Sequence, residues 1–134
     1  MTIALKFSNV FANDVQESVA FYRDALGLEV RSNVENGGFH WVTLGSPSQP
    51  GVEIVISEPH AGVSQADGDA IQELLTKGAL ANLVFATDDV DATFEAARAT
   101  GAEVLQEPMD QPWGPKDCAF RDPSGNSVRI SQAS

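Results

Sequence analysis

Val10-Phe11-Ala12-Asn13-Asp14, near the start of the chain, returns 74 residues later as Val84-Phe85-Ala86-Thr87-Asp88. The same displacement carries Gly27 onto Gly101 and Glu29-Val30 onto Glu103-Val104. Identities that keep their order and fall at the same points of one supersecondary pattern read as a duplicated unit. Each copy opens with an apolar strand, residues 5–11 and 81–86. An acidic residue then starts a helix, where a carboxylate can accept from free backbone N–H groups. In the first copy Val15, Val19, Tyr22 and Leu26 recur at i, i+4, i+7 and i+11, one apolar helical stripe. Val90, Phe94 and Ala97 repeat that spacing with smaller side chains, and Gly27 and Gly101 are placed to end the helices.

Three strands are expected after each helix. In the first copy they cover about 28–34, 39–44 and 52–57, with turns at Asn36-Gly37-Gly38 and 47–51. In the second they cover about 103–107, 117–121 and 127–131, with Asp122-Pro123-Ser124-Gly125-Asn126 as the last hairpin turn. Between the copies, 59–68 reads as a loop and 69–77 as a short helix capped by Asp69 and stopped by Gly78. The expected fold is α+β: two βαβββ modules forming curved mixed sheets around a cavity. A single domain spans 1–134, with module one at about 4–58, a linker and short helix at about 59–79, and module two at about 80–132. Neither module alone covers both faces of its sheet, so modules must pair, within one chain or between two.

The bulk composition suits this. A chain of 134 residues, 43% hydrophobic, buries about 68–70% of its unfolded surface and can build a core without staples. No apolar run approaches the roughly 18–20 residues that cross a bilayer. The start, Met1-Thr2-Ile3-Ala4-Leu5-Lys6, lacks the basic flank and apolar block of a signal peptide. Cys118 is the only cysteine and forms no internal disulfide, so a cytoplasmic location is expected. Nineteen acidic residues against eight basic ones give a net charge of −11. That field repels phosphate backbones and anionic lipid, which argues against nucleic acid and membranes as partners. It favours a cationic ligand, or serves solubility alone.

The stretch Pro112-Trp113-Gly114, then Ala119, then Arg121-Asp122-Pro123-Ser124-Gly125-Asn126-Ser127-Val128 resembles the end of bleomycin-resistance proteins. Asp14-Val15, Ser18, Phe21-Tyr22-Arg23-Asp24 and Leu26-Gly27 resemble the first helix of the wider vicinal oxygen chelate superfamily of glyoxalases, bleomycin-resistance proteins and dioxygenases. The two motifs lie at opposite ends with the duplication between them. The superfamily's enzymes hold one divalent metal per cavity, through His or Glu side chains on the first and last strands of each copy. The resemblance puts those four places at Phe7, Glu53 or Val55, near Asn82, and Arg129. Metal binding needs carboxylate oxygen or imidazole nitrogen there, and at most one of the four offers it. A lone carboxylate beside a guanidinium forms an ion pair instead. His40 and His60 match no ligand place. No metal, no cofactor and no catalytic residue is expected, and no Ser/His/Asp set or phosphate-cradling glycine loop replaces them.

What remains is a pocket lined by alternate strand side chains. Phe7, Asn9 and Phe11 share one face of the first strand. Asn82 and Val84 share the matching face of the fifth, and Ser127, Arg129 and Ser131 that of the eighth. On the third strand either Phe39 and Trp41 or His40 and Val42 face inward. Rings with a few directed polar groups suit an aromatic small molecule. The expected ligand-binding residues are Phe7, Asn9, Phe39, Trp41, Glu53, Asn82, Trp113 and Arg129. The tryptophan that matches Trp113 lies in the drug groove of bleomycin-resistance proteins. The resemblance thus implies a homodimer that sequesters an aromatic antibiotic in a cavity at the subunit junction. Two other readings stay open: a metal-dependent glyoxalase, lyase or dioxygenase-like enzyme, and a binding module for an endogenous aromatic metabolite.

Overall fold

A computed structural model describes residues 2–133. The elements run β1 (Phe7–Phe11), α1 (Val15–Asp24), β2 (Glu29–Asn36), β3 (Phe39–Gly45), β4 (Glu53–Ser57), α2 (Gln65–Thr76), β5 (Asn82–Thr87), α3 (Val90–Ala99), β6 (Glu103–Gln111), β7 (Gly114–Arg121) and β8 (Ser127–Gln132). They form two four-stranded sheets of matching order, β1-β4-β3-β2 and β5-β8-β7-β6. In each, the first strand runs parallel to the last and the other pairs are antiparallel. The fold is α+β, two βαβββ modules. No described helix is long and apolar enough to cross a membrane.

The apolar stripes decide how the helices sit. Val15, Val19 and Tyr22 of α1 are buried on the inner face of the first sheet, where Val42, Leu44 and Ile56 point inward. Val90, Phe94 and Ala97 of α3 do the same against Cys118, Phe120, Val128 and Ile130. The two halves merge into one core cluster. Cys118 is fully buried within it, and burial pushes its thiol up to about 11, as befits a packing residue. Among the described residues, the opposite face of each sheet carries no helix of its own module. This alternation settles the third strand: Val42 is in the core, so Phe39 and Trp41 lie on the open face.

Three local expectations are corrected. Helix α2 begins at Gln65 and not at Asp69, because the Ser64 side chain accepts from the Asp67 N–H and caps it. Gly68 inside that helix lets the His60 ring pack where a Cβ would stand. In the second copy the helix cap is Asp89, accepting from the Ala92 N–H, one residue after the Asp88 that the 74-residue displacement selects. Finally, β6 runs through Pro108 to Gln111 and does not stop near Glu107. It is an edge strand, which tolerates proline, and its pairing with β7 shifts register at Gln106 and Met109.

Candidate functional site

The first open face gathers β1, β4 and β3. Phe7 pairs with Glu53, Asn9 with Val55, and Trp41 with Ser57. Phe7 is half exposed, and the Asn9 amide donates to the Ser57 hydroxyl at 3.2 Å. Glu53 is not free: Arg31 Nη1 lies 3.4 Å from its carboxylate. Five of the residues expected to bind ligand share this face, but not one end of it: Phe7 and Glu53 lie beyond the Leu44–Ile54 pair, and Trp41 and Phe39 lie at the other end of β3, with Asn9 between.

The second open face holds Asn82 and Arg129 and a polar network around them. Asn82 accepts from the Ser127 hydroxyl at 3.0 Å. Arg129 Nη1 donates to Asp117 Oδ2 at 2.9 Å and to Gln106 Oε1 at 3.1 Å. Asp117 Oδ1 in turn accepts from the amides of Gln106 and Gln111, both at 2.8 Å. Burial alone would raise the Asp117 carboxyl, but hydrogen bonds from Gln111, Gln106 and Arg129 outweigh it and hold it below the usual range. Asp117, Gln106 and Gln111 were not among the expected site residues. A usable signal existed: the tight turn at 122–126 fixes the β7–β8 register, which sets Asp117 opposite Ser131, two residues beyond Arg129.

Trp113 stands at the tip of the β6–β7 hairpin, 79% exposed, with Gln111 and Gly114 paired on either side of it. It touches neither group of pocket residues in an aromatic pair among the described residues. The histidines lie outside both faces. His40 is held between Glu58, at 2.7 Å, and Glu35, at 3.4 Å, while His60 meets Asp69 at 2.8 Å.

The Asp122–Asn126 turn does more than reverse the chain. Asp122 Oδ1 accepts from the backbone N–H groups of Ser124, Gly125 and Asn126. Oδ2 accepts from the Asn126 amide and from Tyr22 of the first module. The Asn126 amide also reaches the Phe11 carbonyl, and the Ser124 hydroxyl meets Ser18 and the Asn13 N–H. One turn clasps both modules.

Residues 4–130 match the model of the Glyoxalase/Bleomycin resistance protein/Dioxygenase superfamily. The chain belongs to this superfamily. Among solved structures it resembles UcmS2, with 29% identity and a TM-score of 0.87 over 99% of this chain and 100% of that one. TnmS3, an antibiotic binding protein from Streptomyces sp. CB03234, shares the fold at 23% identity and a TM-score of 0.77, over 100% of this chain and 99% of that one. The uncharacterized protein YraH of Bacillus subtilis (strain 168) is 28% identical over 127 residues, 90% of this chain and 91% of its own. At the places where the resemblance sets the superfamily's metal ligands, namely Phe7, Glu53 or Val55, the neighbourhood of Asn82, and Arg129, the donors are of the wrong chemistry. Phe7 offers none, Asn82 is bonded to Ser127, Arg129 is a cation, and Glu53 is paired with Arg31. These residues do not fit a divalent ion.

Proposed function

We propose that this protein binds an aromatic small molecule of the antibiotic class and sequesters it without converting it. The carrying observation is the Arg129–Asp117 pair: a guanidinium fixed by a buried carboxylate where the superfamily's enzymes need a metal ligand. In this reading Phe7, Phe39 and Trp41 supply ring surfaces, and Asn9, Asn82 and Arg129 orient polar edges. Trp113 stacks on the ligand from the hairpin tip. Each open face lacks a cover in its own module, so the ligand is held between the faces of two chains in a homodimer. Exposed Phe7, Val34 and Val84 are the apolar area that such pairing removes from water.

The deciding experiment is a thermal-shift screen of aromatic antibiotics and planar metabolites, with and without added zinc, nickel or manganese. A tight ligand raises the melting temperature by mass action. The expected result is a shift from at least one aromatic compound and none from any metal. Stabilisation by stoichiometric metal, removed by chelator, would return the protein to the enzyme reading. Light scattering at the mass of one chain would remove the dimer.

A further inference from the structure

The two modules meet along two corresponding crevices, and the chain fills them differently. The helix caps Asp14 and Asp89 align the copies over the first strand, so Phe11 corresponds to Ala86 and Asn13 to Asp88. At Phe11 the outward carbonyl accepts from the Asn126 amide at 2.9 Å, and the Asn13 N–H donates to the Ser124 hydroxyl at 3.0 Å. A carboxamide and a hydroxyl from the 122–126 turn thus occupy the end of that strand edge. Thr76, at the end of α2, lines the same crevice.

The corresponding edge of β5 has no such cover. Its parallel register gives Leu83, Phe85 and Thr87 to β8, as the Ser127 N–H to Ala81 and Ala133 N–H to Thr87 bonds require. The peptide groups of Val84 and Ala86 therefore point outward, and no described residue hydrogen-bonds to them. The loop that corresponds to the clasping turn, residues 46–52, is drawn elsewhere. Arg31 donates to the carbonyls of Ser46, Pro50 and Val52, and Gly45 leaves room for its guanidinium. What results is a crevice of about 560 Å³ between β5 and the first module. Half-buried Leu26 and Phe85 and exposed Val84 line it with apolar surface, with Leu28 and Ile130 buried behind them, and Ser48 and Gln49 supply uncharged polar groups. None of its lining residues is charged, in a chain of net charge −11.

We infer that this crevice is a second binding site, for a neutral molecule carrying secondary amides and an apolar side group. The outward N–H and C=O groups of β5 pair with an amide as a neighbouring strand would, and Leu26 and Phe85 take the side group. The corresponding crevice already contains that chemistry, in the carboxamide of Asn126. The site shares only Val84 and Ala86 with an open sheet face, and Leu28 and Ser48 belong to the crevice alone, so its failure leaves the aromatic-ligand reading standing.

The test is a backbone-amide NMR titration with N-acetyl-leucine N′-methylamide and with its twin methylated on both nitrogens. The expected result is saturable shifts at Val84, Ala86, Leu28 and Ser48, with the methylated twin about tenfold weaker because its N–H donors are gone. Ala86→Pro removes one outward N–H at an edge position that tolerates proline, and should weaken binding of the first probe. Ser48→Trp, on an exposed loop, should fill the mouth and abolish binding even if Ala86→Pro disturbs the strand. No saturable shift at millimolar probe, shifts confined to the open faces, equal binding of the two probes, or binding untouched by Ser48→Trp would each overturn the proposal.

Discussion

The Tyr22 hydroxyl donates to Asp122 Oδ2 at 2.6 Å, joining residues 100 positions apart and belonging to different modules. Both groups are buried, with Tyr22 fully so. Burial, the Asp122 charge and the hydrogen bond all push the phenol far above its ordinary value, so it remains a donor across the working pH range. Removing one partner strands a buried carboxylate. Tyr22→Phe should therefore cost about 1–3 kcal/mol, read as a lower urea midpoint. Asp122→Ala should cost more, since five donors lose one acceptor. A Tyr22→Phe midpoint equal to the parent's would show that the Tyr22–Asp122 bond contributes nothing.

Gly125 closes the same turn at φ +117°, a conformation that a side chain resists. A Cβ there would also meet the Leu75 carbonyl oxygen well inside contact distance. Gly125→Ala should destabilise by about 1–3 kcal/mol from backbone strain alone, visible as a fall in melting temperature. An unchanged melting temperature would mean that the turn relaxes to a conformation a side chain accepts and that α2 gives way.

The His40–Glu58 pair sets an alkaline limit. The hydrogen bond to Glu58 raises His40 above its ordinary value, against a smaller opposing effect of burial and with help from the charges of Glu58 and Glu35. Its contribution is complete below about pH 6.5 and fades as pH rises through the raised value. Burial lifts Glu58, but hydrogen bonds from His40 and the backbone outweigh it, so its contribution is lost as pH falls through a lowered value. Asp117 behaves likewise on the acid side. Urea midpoints measured from about pH 2 to about pH 9 should decline at both ends, and His40→Gln should remove the alkaline decline. If the decline persists in that variant, another group is responsible.

Trp113 separates binding from stability. At 79% exposed it contributes little to folding, so Trp113→Ala should leave stability within about 0.5 kcal/mol. Loss of a stacking ring should weaken the screened aromatic ligand about thirtyfold. Urea denaturation checks the first half and calorimetric titration the second. Unchanged affinity would leave Trp113 as an exposed tip and nothing more.

The sequence was most legible where one period dominates. Val15, Val19 and Tyr22, and Val90, Phe94 and Ala97, announce their helices, and both trios are buried as their spacing requires. It was least legible where local and tertiary signals compete. Asp69 looks like a cap, but Ser64 precedes it with the correct side-chain geometry, and His60 shelters the glycine that would otherwise break the helix. Pro108 looks like a strand end, yet the edge position of β6 leaves its missing N–H without cost. Asp122-Pro123-Ser124-Gly125-Asn126 reads as a hairpin turn, and it is one. Its grip on Tyr22, Ser18 and Phe11 depends on residues 100 or more positions away, which no local window contains.

The clasp also changes what the connecting segment is for. The turn of the second module holds the first helix directly, through side chains that do not involve the backbone between 58 and 64. Gly62 and Val63 are exposed in that stretch, where a nick is best tolerated. Covalent continuity there supplies proximity, and the carboxylate of Asp122 supplies recognition. A chain divided at this point should reassemble from two separately expressed halves, the second carrying α2 as its own lid. The difference in reassembly between the parent and Tyr22→Phe halves would then report the Tyr22–Asp122 bond, turning a buried hydrogen bond into the readout of a fragment-complementation sensor.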